Sequence, residues 1–324
     1  MKKINFIAEI ASSHNGNKNN LLKIIKALNL SNCNFVKIQI FKNSNLCHQS
    51  SSLFKSLNKI EINHNYWKKV IKKIKKKIIL EPFDNESYNF CKKFRNECSV
   101  KISSSENDNN YLIKDALKNF KLVFLNISGF KIKKIKGILK NIRKKKLILM
   151  YGYQAYPTKP KNLRLNIFNE LKKLNLTYGY ADHSNTDYFF ETHICTEKAI
   201  DFGAKYIEKH ICLKRSVNIP DYISSFEIND FNNYINFFKK KKKYFFKKKN
   251  ISIDEKKYCK IMNKFAVLKN KVKMKQKINI NQLIFLRING NGLNRSRVDK
   301  LIKDNKKFKF SLKQNTILKK EHFI

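Results

Sequence analysis

The chain has 324 residues, 42% hydrophobic and 12% aromatic, and its 70 lysines and arginines against 24 aspartates and glutamates give a net charge of +46. That apolar share excludes a disordered polyelectrolyte and supports one large domain plus a small one, and no window approaches the roughly 20 uninterrupted apolar residues of a spanning helix. The charge raises a polyanion partner, but the excess is overwhelmingly lysine in a chain crowded with Asn, Ile and Phe, the pattern of an AT-rich coding bias on solvated faces, so nucleic-acid binding is not the favoured reading.

In chain order, apolar β-rich runs recur at Ile4–Ala11, Phe35–Phe41, Lys77–Asp84, Val100–Glu106, Leu122–Gly129, Leu147–Tyr156, Leu176–His183 and Ala204–His210. The first run follows a basic start, but Glu9 interrupts it, so it reads as a strand and not as a signal segment, and a cytoplasmic protein is expected. Amphipathic stretches of helical period lie between the runs, among them Asn20–Leu30, Tyr66–Ile74 and Phe189–Phe202. Strand and helix alternating eight times in about 240 residues imply a (β/α)8 barrel. The rival is a doubly wound open sheet, weakened because no G-x-G-x-x-G follows the first strand.

A long helix from Glu227 to about Phe246 is expected to close the barrel domain (1–246), with the Lys239–Lys243 and Lys247–Lys249 runs on its solvated end and on a linker (247–257). Residues 258–324 read as a small β-rich domain, with strand-like pieces at Lys264–Leu268, Gln282–Arg287 and Thr316–Leu318 and a turn-rich NGNGLNRS segment. The βα alternation is the one internal repeat the sequence shows. Seven irregularly spaced cysteines, with no C-x-x-C pair, read as free thiols in a reducing compartment.

Barrel enzymes carry their chemistry at the C-terminal ends of the strands. Here those ends offer Glu9 and the SSHNG loop, Lys37 and Gln39, Glu81 and Asp84, Lys101, Ser104 and Glu106, Ser128, Gln154 and Tyr156, and finally Asp182, His183, Glu208, Lys209 and His210. Lys37 and Lys101 lie in otherwise apolar strands, and burying an ammonium is costly unless an anion meets it. They either point outward, pair with Glu9, Glu81 or Glu106, or await a phosphate or carboxylate ligand. His183 and His210 end consecutive strands, so their imidazoles become neighbours and can share a divalent ion that keeps open positions for water and a substrate oxygen. The remaining histidines read as hydrogen-bonded core or surface residues, although His14 lies close enough to the rim to be a minor candidate.

The segments IAEIASSHNGN, FVKIQIFK, EPFD, VKISSSEN, QAYPT, GYADHSNTD, AKYIEKH and IPD, in that order, resemble the sialic acid synthase family of N-acetylneuraminate, legionaminate and pseudaminate synthases, and the tail with FLRINGNG is similar to its antifreeze-like SAF domain. The resemblance implies condensation of phosphoenolpyruvate with the open-chain aldehyde of an N-acyl hexose, giving a nine-carbon 2-keto acid and phosphate, with Mn2+ or Mg2+ as cofactor. It implies that Lys37, Lys101, Ser104 and the SSHNG loop hold phosphoenolpyruvate, that Glu9 or Glu106 manages a proton or the sugar hydroxyls, and that Gln39 and Gln154 border the substrates. Glu106, Tyr156 and Asp221 match sugar-contacting positions, and Arg287 matches an arginine that reaches the site from a partner subunit, which makes the expected assembly a swapped homodimer. The chain departs from the family at Gln154, where many members have Asn, at Ala181, where Ser is usual, at VNIPD before and including Asp221, and at Ile288 after Arg287. Another barrel enzyme of phosphosugar chemistry, an aldolase or isomerase, is the main alternative.

Overall fold

The computed structural model describes residues 4–106, 109–140, 142, 145–245, 251–288 and 290–324, so Asn107, Phe246, the Lys247–Lys249 run and Asn289 lie outside the described residues. The chain divides into two compact units, Met1–Tyr244 and Phe245–Ile324.

The first unit is the expected (β/α)8 barrel. Eight parallel strands, β1 (Asn5–Glu9), β2 (Phe35–Ile40), β3 (Lys77–Pro82), β4 (Ser99–Ile102), β5 (Val123–Asn126), β6 (Leu147–Tyr151), β7 (Thr177–Asp182) and β8 (Tyr206–Cys212), pair in sequence order, and β1 closes on β8. Helices cross back between them because apolar residues recur every three or four positions. The helix Lys18–Leu30 buries Leu21, Ile24, Ile25 and Leu28, and Asn17 caps it by accepting from the Asn20 N–H.

Alternation along each strand sends one residue set to the helices and the other into the barrel. The outer set joins the helices in the main core. The inner set begins with a separate apolar cluster, Ile7, Phe35, Ile79, Phe124, Ile148 and Met150, which fills the barrel beneath the strand ends. Two residues beyond Ile7, Phe35, Ile79 and the half-buried Tyr206 that packs against them stand Glu9, Lys37, Glu81 and Glu208, all buried.

Three local features differ from the sequence reading. Strands four and six are shorter than their apolar runs: Ser104–Glu106 form a 3-10 turn, and Gln154 and Tyr156 lie on the loop after β6. A ninth strand, β9 (Ser225–Glu227), too short to show periodicity, pairs with β8 from His210 onward, where β7 has ended. The expected linker is helical from Ile253, in a helix that runs to Met262, because Ser252 caps it by accepting from the Glu255 N–H.

The second unit contains an antiparallel pair, β10 (Lys264–Leu268) and β11 (Leu283–Arg287), a helix Arg295–Lys303 and its own core around Leu268, Val298 and Phe308. Asn294, within the turn-rich segment, caps that helix by accepting from the Arg297 N–H. Residues 271–282 and 311–322 follow the same backbone course, each with a left-handed residue (Lys275, Asn315) and a closing 3-10 turn, although their side chains differ. All seven cysteines are free. Among the described residues no helix is long and apolar enough to cross a membrane.

Candidate active site

Five ionisable side chains share the inside of the barrel at the strand ends, and none is more than 3% exposed. Lys37 Nζ donates to Glu81 Oε2 at 2.6 Å and to Glu208 Oε1 at 3.0 Å, and it also pairs with Glu9 Oε2. Lys101 Nζ donates to Glu208 Oε1 and Oε2 at 2.7 and 3.0 Å and lies 3.6 Å from Glu81 Oε1. Of the readings open for the two lysines, the structure shows pairing with carboxylates, with Glu208 in place of Glu106. Burial opposes ionisation of Glu208, but Lys101 and then Lys37 outweigh it and hold the carboxyl well below its ordinary value. Burial likewise works against the Lys101 ammonium, and Glu208 and Glu81 more than restore it, whereas for Lys37 burial wins and its pKa is lowered.

Beside this cluster stand the two imidazoles. Their ring centroids are 5.5 Å apart and both are buried. His183 follows β7, and its backbone is pinned from two sides: its carbonyl accepts from the Thr158 N–H at 2.7 Å and from Ser224 Oγ at 2.8 Å. His210 is held in β8 between Glu9 of β1 and Ser225 of β9. His183 Nδ1 donates to the Tyr153 carbonyl at 2.8 Å, which leaves the lone pair on Nε2, where the Tyr156 hydroxyl donates at 3.3 Å. Burial lowers the His183 pKa to about 4 and pushes His210 well below its usual range, aided by the neighbouring His183.

These are the properties a divalent ion asks of imidazole ligands: neutral rings, one tautomer fixed by a backbone carbonyl, and two donors facing one space. Among the described residues no group of three or more His, Cys, Asp or Glu side chains is arranged to hold a metal, so the fit is to an open site completed by water or substrate.

A cavity of about 130 Å³ opens over the cluster. It brings together Lys37, Gln39, Glu81, Lys101, Ser104, Gln154, Tyr156, His183, Glu208 and His210 from the strand ends singled out in the sequence and adds Phe83, Ser103 and Asn126. Gln154 Nε2 donates to Ser128 Oγ at 3.2 Å, and Gln39 Nε2 reaches Glu81 at 3.5 Å. Tyr156 is 44% exposed although its hydroxyl meets the buried histidine, so the residue bridges solvent and site. Glu9 stands behind Lys37 with Oε1 accepting from the Ala11 N–H at 2.7 Å. Glu106 is on the rim, accepting from Asn109 at 2.8 Å, and Asp221, in a left-handed conformation, points Oδ2 to within 3.9 Å of His210 Nδ1. Arg287 belongs to β11 of the second unit and is exposed there. Ala181 is buried, with its carbonyl close against Gly152.

Asn126 was missed in the sequence, and Glu208, although named at its strand end, was not assigned as a partner of the two lysines, because a carboxylate beside a lysine in "EKH" reads as ordinary strand polarity until the pleat shows it facing inward. A larger hollow of about 780 Å³ lies on the outer flank, around Lys42, His64, Glu86 and Phe90. Size does not decide between the two, because only the smaller one gathers buried ionisable groups.

The fold and this cluster define a (β/α)8-barrel protein with buried ammonium, carboxylate and imidazole groups converging on one cavity at the strand ends. Residues 24–250 match the NeuB family, and the chain belongs to that family. It is 27% identical over 300 residues to the N,N'-diacetyllegionaminic acid synthase of Campylobacter jejuni, covering 84% of this chain and 87% of that protein. It is 26% identical over 251 residues to a pseudaminic acid synthase of the same species, covering 71% of each. The fold is also similar to that of the N-acetylneuraminic acid synthetase of Leptospira borgpetersenii, with a TM-score of 0.70, 21% identity, and coverage of 79% of this chain and 90% of that one.

Proposed function

We propose that the protein is a nonulosonic acid synthase that condenses phosphoenolpyruvate with an N-acyl hexose and releases phosphate. The observation that carries this reading is the single cavity on which two buried ammonium groups and two neutral imidazoles converge, in a chain of the NeuB family. Lys37 and Lys101 hold the carboxylate and phosphate of phosphoenolpyruvate through charge-assisted bonds, with Ser104, Gln39 and Gln154 completing the contacts. Tyr156, Glu106 and Asp221, nearer the mouth, hold the sugar with its aldehyde carbon facing the enol carbon, and this positioning supplies a large part of the acceleration.

The bond forms between the methylene carbon of phosphoenolpyruvate and the aldehyde carbon. Water then adds to the cationic C2, and phosphate leaves as the ketone forms. In this reading Glu9 or Glu106 manages the proton or the sugar hydroxyls, Glu106 from the rim and Glu9 only through its ion pair with Lys37. A divalent ion, Mn2+ or Mg2+, held by His183 and His210 would supply Lewis acidity at the aldehyde oxygen.

The finer assignments belong to the same reading. Residues 258–324 form an SAF-like domain whose Arg287 completes the pocket of a partner subunit in a swapped homodimer. The seven free thiols support a cytoplasmic setting.

Incubation with Mn2+, phosphoenolpyruvate and a panel comprising N-acetylmannosamine, its 6-phosphate and diacetamido hexoses is expected to release phosphate with at least one sugar. His210→Ala is expected to abolish that release while the circular dichroism melt stays close to that of the parent. No phosphate from a folded protein across the panel overturns the proposal.

A further inference from the structure

The charges inside the barrel do not balance. Three carboxylates (Glu9, Glu81, Glu208) face two ammonium groups (Lys37, Lys101), a surplus of one negative charge, and the other residues lining the cavity are uncharged Ser, Asn, Gln, Phe and Tyr side chains and the two neutral imidazoles. The three carboxylates are not equivalent. Glu9 is used on both oxygens, by the Ala11 N–H and by Lys37, and it stands outside the cavity lining. Glu208 is bound through both oxygens by Lys101 and also meets Lys37. Glu81 lines the cavity and is only half engaged. Its Oε2 accepts from Lys37 at 2.6 Å, while Oε1 is 3.6 Å from Lys101, beyond a hydrogen bond. Removing Glu81 would therefore leave both lysines paired, Lys37 with Glu9 and Glu208, and Lys101 with Glu208.

We propose that Glu81 is an internal competitor for the anion site: its carboxylate occupies the place beside Lys37 and Lys101 that the substrate anion takes, and so sets the affinity and selectivity for that anion. This rests on the proposed reading that the two lysines receive phosphoenolpyruvate. A carboxylate a few ångströms from an incoming dianion, in a buried and poorly screened setting, opposes binding strongly. Glu81 must swing away from Lys37 before the anion seats. The repulsion weighs more on the more highly charged ligand, so it holds back phosphoenolpyruvate more than a monoanion such as pyruvate.

The test is a calorimetric titration of the full-length protein and of Glu81→Gln with phosphoenolpyruvate, inorganic phosphate, pyruvate and N-acetylmannosamine, each alone. Glu81→Gln is expected to bind phosphoenolpyruvate and phosphate at least tenfold more tightly than the parent, with a smaller gain for pyruvate and none for the neutral sugar, and to lower KM for phosphoenolpyruvate in the same proportion. A residue that merely shapes the pocket would weaken the anions when replaced. Glu81→Ser is judged by the same criteria if the glutamine variant does not fold. If the parent binds phosphoenolpyruvate and the variants bind it equally or less well, the competitor role is overturned and the functional reading stands. If neither parent nor variant binds it, both are overturned.

Discussion

Lys209→Met should cost about 3–5 kcal/mol of stability, because it strips the partner from a fully buried carboxylate. Lys209 and Asp182 are both 0% exposed and lie opposite each other in the β7–β8 register, on the face that points away from the cavity. Asp182 Oδ1 is well supplied, accepting from the Ser184 N–H at 2.9 Å and from Ser184 Oγ at 2.6 Å. Its Oδ2 has no hydrogen bond, only the Lys209 ammonium at 3.2 Å. The same ammonium donates to the Ser184 carbonyl at 3.0 Å and lies 5.3 Å from the centre of the Phe226 ring.

Methionine fills the space of the aliphatic stem, so little of the loss is cavity formation and most is the uncompensated charge. Adding Asp182→Asn to Lys209→Met removes that charge while Oδ1 keeps both Ser184 donors, and about 2 kcal/mol should return, a coupling that a double-mutant cycle resolves. The assay is urea unfolding followed by circular dichroism on the four proteins of the cycle. A loss below about 1 kcal/mol for Lys209→Met, or no recovery in the double variant, would refute the reasoning.

His14 links stability to pH. Burial lowers its pKa to about 4, and its Nδ1 accepts from the Gly16 N–H at 3.0 Å, a bond that protonation at Nδ1 would break. The unfolded chain takes up a proton near pH 6.5 that the folded chain refuses until about pH 4, so stability falls as pH drops through that window, by about 3 kcal/mol from this group. Urea midpoints measured at pH 7 and pH 4.5 should show a smaller acid loss for His14→Asn than for the parent, and identical losses would remove His14 as the cause. Gly179→Ala should destabilise by about 2–3 kcal/mol, since a methyl there would sit 2.6 Å from both Met150 Sδ and the Tyr206 carbonyl oxygen, and backbone cannot yield as a side-chain end can. A shift under about 0.5 kcal/mol in the same unfolding assay would show that β7 and β8 can part at that point.

The sequence announced the barrel because each strand is an apolar run bounded by polar loops, and the pairing order follows from that alternation without knowledge of any contact. It also announced Lys37 and Lys101, which stand out against apolar neighbours. Their partners were harder to read. Glu208 lies 171 positions from Lys37 and shares its environment only through barrel closure, which no local pattern records. The ends of elements were the least legible part: Tyr156 reads as strand by composition, yet the chain leaves the sheet after Tyr151. The β9 strand, three residues long, exists because β8 offers a free edge past Asp182, a tertiary circumstance.

The plug formed by Ile7, Phe35, Ile79, Phe124, Ile148 and Met150 gives the charged cavity an apolar floor, with its doorway at the strand ends. No ion drains through the bottom, and the apolar floor, being hard to polarise, throws the field of the cluster outward toward arriving molecules. On the proposed reading the small anion travels to the buried lysines and the sugar stops nearer the mouth, so traffic runs first in, last out. The phosphate freed at the bottom waits for the nine-carbon acid above it to clear the doorway.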